Sequence, residues 1–274
     1  MTLLLVDISN SFTKIAVARG GRIGKVHRLP TPSLNANQIR AIAEKARPVA
    51  TVAASVVPKK CPEVDRGAGC PVLWVGPDIE LGVGIDYPNP RRIGADRLAN
   101  AAGCAALYGT PAIVVDFGTA VTFDVISADR NYIGGVIAPG LNAMTEYLHD
   151  RTALLPLIRL REPGHAVGRS TKDAMLSGAV HGYRGLVREI LAQVTREAFP
   201  RKRPHVIATG GDASLIAAGV PLFDAVDPAL TLKGLLEIAR LNVASDAGST
   251  RHHARPSSQS GIRPLRGKNR RAGR

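Results

Sequence analysis

The apolar stretch Leu3 to Val6 runs unbroken into an acid, Asp7, and then into the small polar residues Ser9, Asn10 and Ser11. A continuous apolar run of this length predicts a strand buried on both faces. Beyond the turn, Ile15 and Val17 alternate with smaller residues, which predicts a half-buried return strand and so a hairpin. The pattern recurs in Ala112 to Val125, where the apolar run ends on Asp116, small hydroxylated residues follow, and Phe123 and Val125 alternate. A third strand is expected in each half. Self-similarity at a separation of about a hundred residues indicates duplicated domains rather than a solenoid, whose repeats are ~20–50 residues long. Two like domains facing each other leave a cleft, where ligands bind.

The remaining periodicity fills in both halves. Ala36 to Arg47 carries Ile39, Ile42 and Ala43 on one face and reads as an amphipathic helix. Val52 to Val57 is a short strand stopped by Pro58, Lys59 to Gly69 has loop composition, and Val72 to Val75 is a further strand. Pro88 and Pro90 keep the run from Ile85 to Arg97 extended as it enters an alanine-dense helix from Ala95 to Tyr108, suited to close packing. The third strand of the second half, Tyr132 to Gly140, contains Gly134 and Gly135, which permit close approach by a ligand or another chain. Leu141 to Asp150 reads as a helix. Ser170 or Thr171 can cap a long helix reaching Ala198. Val206 to Ala213 is a strand with a Gly-Gly turn that can approach a flat or phosphorylated ligand, and Pro228 to Val243 is a final amphipathic helix. The expected division is 1–111, 112–247 and a basic tail, 248–274.

The tail changes how the charge is read. Of the formal net charge of +14, the residues from Arg251 onward supply +8 with no acid among them, leaving +6 for the first 250 residues. The tail lacks an apolar period and is rich in Ser, Gly and Pro, so disorder is expected there, and nucleic-acid contact is not expected except through it. Three cysteines, Cys61, Cys70 and Cys104, have no paired metal spacing and suggest reduced thiols in a cytoplasmic protein. The first strand begins directly after Met1 and Thr2, without the basic region of a signal peptide. No apolar segment approaches the ~18 residues that would span a bilayer.

The chemistry is expected at the two hairpins and at the start of the alanine-dense helix. The first hairpin offers backbone N–H groups, hydroxyls and Lys14 to a phosphate, and Asp7 to a metal ion with its waters, although such residues also make ordinary turns. Asp96 in a first helical turn can be stabilised there by the helix dipole alone. With Arg97 beside it, and Tyr87, Arg91 and Arg92 just before, it can instead take a proton from a hydroxyl while the guanidinium holds an anionic group. Gly164 to Ser170 is one residue short of a P-loop and has Arg169 in place of its lysine. No dinucleotide fingerprint, nucleophile elbow or zinc motif is present. His149, His165, His181 and His205 read as surface or packing residues.

Paired domains that open on a strand, an Asp and a Gly/Ser/Thr hairpin resemble the actin-like ATPase and sugar-kinase superfamily. Asp7-Ile-Ser-Asn-Ser-Phe-Thr-Lys14 is similar to the motif D-x-G-N-T-x-x-K, Gly94-Ala-Asp-Arg97 to G-x-D-R, and Asp116-Phe-Gly-Thr-Ala-Val-Thr122 to D-x-G-T-A-x-T. With Gly134-Gly135 and Pro139-Gly140 in order behind them, the chain resembles the type III pantothenate kinases from Leu3 to Ala244. The resemblance implies an α/β fold of two duplicated actin-like (ribonuclease H-like) domains around a central cleft. It implies ATP-dependent phosphorylation of the primary hydroxyl of pantothenate, the entry to coenzyme A synthesis. Asp7, Ile8, Ser9, Asn10, Ser11, Phe12, Thr13 and Lys14 would hold ATP with Mg2+, and Thr119 would lie near its phosphates. Asp96 would be the base, and Asp116 would bind K+ or NH4+. Tyr87, Gly94, Ala95, Asp96, Arg97 and Thr171 would line the pantothenate pocket of a homodimer. Ser9 stands where the family has Gly, placing a side chain in the turn, and Ser11 keeps the hydroxyl of the family's Thr. The alternatives are another small-molecule kinase of the superfamily, or a regulatory or nucleic-acid-binding relative that uses the basic tail.

Overall fold

The computed structural model describes residues 1–243, so the expectation for the basic tail lies outside the described residues. In the first half, β1 (Thr2–Ile8), β2 (Phe12–Arg19) and β3 (Arg22–Pro30) form an antiparallel meander, and β4 (Ala50–Ser55) and β5 (Val72–Trp74) extend the sheet in parallel on the other side of β1. The order is β3-β2-β1-β4-β5. In the second half β7 (Ala112–Phe117), β8 (Ala120–Ile126) and β9 (Asn131–Pro139) repeat the meander, with β10 (His205–Gly210) and β11 (Ala225–Val226) parallel beyond β7. That sheet is β11-β10-β7-β8-β9-β6, the same plan with β6 (Gly84–Ile85) added parallel to β9. The duplicated hairpins are therefore the openings of two sheets built alike.

Seven helices among the described residues sort into three layers. Helices α1 (Ala36–Ala46) and α2 (Cys61–Gly67) cover the outer face of the first sheet, where Ile39, Ala43 and Val64 join Leu4, Val6, Ile8 and Ala53. Asn35 caps α1 through a reciprocal capping box with Gln38, and Arg47 ends it in the left-handed conformation. Helix α5 (Thr171–Ala198), with α4 (Leu141–Arg151) and the short α6 (Ala213–Ala217), covers the outer face of the second sheet. Helices α3 (Ala95–Leu107) and α7 (Leu230–Asn242) lie between the sheets, sharing one core with Leu3, Leu5 and Val52 on one side and Val114, Ile126 and Ile207 on the other.

The expected elements are present with ends shifted by a residue or two, and two expectations are corrected. The run entered at Ile85, expected to stay extended, winds into a 3-10 turn at Pro90–Arg92, since the fixed φ of proline suits the start of such a turn. Lys59 to Gly69 was expected to be loop, yet it holds a 3-10 turn and α2. Seven residues beginning Cys-Pro carry too little periodicity to announce a helix, and so short a helix is stable only through packing. The backbone contact that supplies it is tight, since a Cβ on Gly67 would lie 2.6 Å from the Ala36 carbonyl. The partner of the alanine-dense helix is α7 of the same chain. A Cβ on Gly234 would lie 1.8 Å from the Ala99 carbonyl, and one on Gly103 would lie 2.9 Å from the Gly234 nitrogen. No helix among the described residues is long and apolar enough to cross a membrane.

Because the α3–α7 contact is backbone to backbone, Gly234→Ala should destabilise the fold by roughly 2–4 kcal/mol, as overpacking that no rotamer can relieve. Gly76→Ala, whose Cβ meets open space, should stay within about 0.5 kcal/mol. Urea unfolding followed by circular dichroism measures both, and equal stabilities would contradict the close contact.

Candidate active site

Each acid of the candidate site stands where an apolar strand or a helix start delivers it. Asp7 is the penultimate residue of β1, 2 % exposed, paired in register with Lys14 on β2. Lys14 Nζ lies 4.0 Å from Asp7 Oδ2, and the Ser9 hydroxyl donates to Asp7 Oδ1 at 3.1 Å. The side chain at the family's glycine position thus turns back onto the acid. The turn is braced from below by Thr31, whose hydroxyl donates to the Ser9 carbonyl (2.7 Å) and whose N–H donates to that of Ser11 (3.0 Å). Ile8 and Thr13 are fully buried, so they can offer a ligand only backbone. Asn10, Ser11 and Phe12 are exposed, and the Arg28 guanidinium lies 3.6 Å above the Phe12 ring.

Asp116 occupies the matching place on β7. Its Oδ2 accepts from Asn100 Nδ2 at 2.9 Å, and Asn100 Oδ1 accepts from the Thr231 hydroxyl of α7 at 2.9 Å. The tips of the two hairpins meet: the hydroxyl oxygens of Ser11 and Thr119 are 3.0 Å apart, joining residues 108 positions distant in sequence. Gly140 packs against the second tip and donates its N–H to the Thr119 carbonyl at 3.1 Å. The Gly-Gly turn after β10 comes close to Asp116 itself. Gly210, at φ +94°, would place a Cβ 2.6 Å from Asp116 Oδ1, so only glycine fits. Next to it in the strand, the fully buried Thr209 hydroxyl has no hydrogen-bond partner among the described residues.

The third acid comes from α3. Gly94 precedes the helix, and a Cβ there would lie 2.5 Å from Asp96 Oδ1. Glycine therefore lets the carboxylate fold back over the helix start, where it accepts the Arg97 N–H at 2.8 Å. Asp96 and Asn100 are four residues apart and share a face of α3 toward Asp116. Arg97, one residue round, reaches β8 instead and donates from Nε to Asp124 Oδ1 at 2.5 Å. Tyr132 donates its hydroxyl to the same oxygen at 3.2 Å and meets the Tyr87 ring edge-on, 6.1 Å between centroids. Gly134 and Gly135 do admit close neighbours, but those belong to this chain: Tyr87 beside Gly134, and Arg97 with the Phe123 carbonyl beside Gly135.

Like charges in a poorly solvated cleft raise one another's proton affinity. Burial pushes the Asp7 carboxyl up to about 7, against the pull of Lys14 and with the push of Asp96 and Asp116. Burial and then Asp116 raise Asp96, while the Arg97 N–H and guanidinium oppose the shift. Burial raises Asp116 too, opposed by the Asn100 amide and Lys14. No group of three His, Cys, Asp or Glu among the described residues forms a metal cage. The acids that do lie together, Asp7, Asp96 and Asp116, are oxygen donors of the kind magnesium takes, one or two at a time with phosphates completing the shell.

The structure thus brings Asp7, Lys14, Ser11, Thr119, Asp96 and Asp116 to one cleft, with Tyr87 and Arg97 beside it. Thr171 is the exposed first residue of α5, whose cap is Ser170, and no contact among the described residues ties it to the cluster. The sequence motifs do not mark Asn100, Thr231, Asp124, Tyr132 or Thr209, which the structure adds to the site and its surroundings. The signal for two of them was a polar residue inside an apolar pattern: Asn100 within the alanine helix and Asp124 between Phe123 and Val125.

The solved structures share this architecture. A Campylobacter jejuni protein bearing the name of a Baf family transcriptional activator matches with a TM-score of 0.58 at 20% identity, covering 88% of this chain and 99% of that one. A ROK family glucokinase from Streptomyces griseus, in complex with glucose and AMPPNP, matches with a TM-score of 0.50 at 18% identity, covering 88% and 99%. These likenesses show the fold. The sequence comparisons are closer. A type III pantothenate kinase from Akkermansia muciniphila is 51% identical over 244 residues, 89% of this chain and all of the relative. Another from Methylacidiphilum infernorum is 41% identical over 239 residues, 87% and 88% of the two chains. Residues 3–193 match the family as a whole, and the chain belongs to the type III pantothenate kinase family.

Proposed function

We propose that the reaction of this family is carried here by three acids and an arginine set between two phosphate-holding hairpins. The family's activity is the ATP-dependent phosphorylation of pantothenate in coenzyme A synthesis, and the chain is accordingly a transferase that takes ATP and pantothenate as substrates. The observation that carries the residue assignment is the meeting of the two hairpin tips at Ser11 and Thr119, with Asp7 and Asp116 behind them. The hydroxyls and backbone N–H groups of residues 8–13, with Lys14 and Thr119, hold the ATP phosphates. Asp7 would hold magnesium, which would supply the charge neutralisation that phosphoryl transfer needs.

Asp96 receives the proton of the primary hydroxyl as its oxygen bonds to the γ-phosphorus and the bond from that phosphorus to ADP breaks. The transition state is loose, so alignment matters more than base strength, and a carboxylate raised by burial suffices. Arg97 holds the anionic group of pantothenate, with Tyr87 and the backbone of Gly94 and Ala95 beside it. Asp116, one oxygen fixed by Asn100, is the ligand proposed for K+ or NH4+. Thr171 stays in the pocket assignment on the resemblance alone. The proposed setting is the cytoplasm, in keeping with three free cysteines.

A homodimer is proposed as the working form. Helix α4 and the segment after it expose Met144, Tyr147, Leu148, Leu154 and Leu157, an apolar surface that a second copy would cover. The small-residue face of α3 does not serve, because α7 fills it.

Three outcomes follow. A coupled assay of ADP release should require pantothenate and be faster in potassium or ammonium than in sodium, and Asp96→Asn should lower kcat by about two to four decades, the usual share of a general base. Retention of near-normal turnover would remove Asp96 from its role. For Asp7 the native value near 7 lies above the unfolded value of 3.8. Its contribution to apo-protein stability is therefore complete below about pH 4 and lost as pH rises to about 7, a change of up to about 4 kcal/mol. Asp7→Asn should flatten that slope and raise Tm at pH 8 while abolishing turnover; superimposable Tm curves from pH 5 to 8 would contradict it. Tyr147→Asp combined with Leu148→Asp should convert dimer to monomer in analytical ultracentrifugation, and an unchanged mass would place the interface elsewhere.

A further inference from the structure

Asp124 is hard to explain as packing. It lies in β8 between Thr122 and Ile126, on the face toward α3, and is 0 % exposed. A carboxylate buried there without compensation costs several kcal/mol, and an apolar side chain would fill the place, as Ile126 does two residues on. Instead, three donors converge on it. Arg97 Nε and the Tyr132 hydroxyl bond Oδ1 at 2.5 and 3.2 Å, and the Thr122 hydroxyl bonds Oδ2 at 3.3 Å. Its register partner on β9 is Gly135, where a Cβ would lie 2.8 Å from Arg97 Nη2 and 1.8 Å from the Phe123 carbonyl. The strands are thus shaped to receive one guanidinium, with an acid at its Nε, hydroxyls fixing the acid and a glycine clearing the space beside Nη2.

That seat leaves one edge of Arg97 free. No acceptor among the described residues bonds Nη1 or Nη2, and neither atom is among the buried polar atoms lacking a partner, so this edge keeps access to solvent on a side chain that is 13 % exposed. It is the edge that binds a carboxylate with two parallel hydrogen bonds. The Tyr132 ring that carries the second donor also touches Tyr87, so one contiguous group runs from the buried acid to the exposed pocket wall.

We infer that Asp124 is a positioning residue for acceptor selection: by holding Nε it aims the Nη edge of Arg97 into the pocket and so sets the preference for an acceptor alcohol that bears a carboxylate. The inference rests on the reading of Arg97 as the holder of the substrate's anionic group. Asp124 itself touches no reacting atom. Asn in its place can still accept from Nε but no longer fixes the guanidinium by charge, so the selective edge loosens while the phosphate hairpins stay as they are.

The test compares wild type, Asp124→Asn and Tyr132→Phe on pantothenate, on its primary carboxamide and on ATP, with Tm recorded for each. In Asp124→Asn the KM for pantothenate should rise about ten- to a hundredfold, the range for weakening a desolvated charge-assisted contact, with the KM for ATP within about threefold of wild type. The preference for pantothenate over the carboxamide should shrink in parallel. A folded Asp124→Asn protein with unchanged pantothenate KM and unchanged preference overturns the inference, as does a KM for ATP that rises as much as that for pantothenate. Should Asp124→Asn fail to fold, Tyr132→Phe decides: a rise of about threefold in pantothenate KM alone supports the role, in keeping with the loss of one neutral hydrogen bond, and no rise overturns it. A wild type that uses acid and carboxamide equally well removes the Arg97 reading itself, which is a separate failure from that of Asp124.

Discussion

The contact on which the rest of this molecule depends is that of α3 with α7 at Ala99, Gly103 and Gly234, where two helices touch through their backbones. Two sheets can share a single helical layer only if that layer is thin, and small residues make it thin. Because α7 comes from the end of the described chain and packs against β1 and β4, it ties the last helix to the first sheet. Because α3 follows the first sheet and packs against β7 and β8, it ties the middle of the chain to the second. The first turns of α3 are thereby held at the mouth of the gap between the sheets.

From that position the helix period does the sorting. Asp96 and Asn100 face the end of β7, where Asn100 fixes one oxygen of Asp116, while Arg97 turns toward β8 and is caught by Asp124. One helix start therefore serves two places: the cluster of acids and the buried carboxylate of β8. Thr231 on α7 bonds Asn100, so the packing partner of α3 also steadies the residue that steadies Asp116.

The electrostatics of the acid cluster are unfavourable by themselves. Asp7, Asp96 and Asp116 are taken out of water near one another, with Lys14 the cation common to Asp7 and Asp116. Such a cluster costs stability that a bound cation and its phosphates recover, which is how a binding site differs from a core. The Arg97–Asp124 pair differs in having its counter-charge built in. Burial raises the Asp124 carboxyl to about 7 even against the pull of Arg97, whose Nε is hydrogen-bonded to it at 2.5 Å.

The repeated strand, acid and turn at Asp7 and Asp116, the helix beginning at Ala95, and the Gly94 to Arg97 start that carries an acid and a guanidinium are all legible in the residue order. These are local matters: apolar runs, alternation and turn chemistry act over a few residues and are legible one segment at a time. α2 escaped because seven residues have no period to read, and only its burial against α1 makes it a helix. The tertiary structure alone decided that the two hairpin tips touch at Ser11 and Thr119, that α7 rather than a second chain fills the small-residue face of α3, and that Asp124, an ordinary acid in an alternating strand, lies under Arg97. Each of those joins residues far apart along the chain, and no pattern confined to one segment records which distant segment will be packed against it.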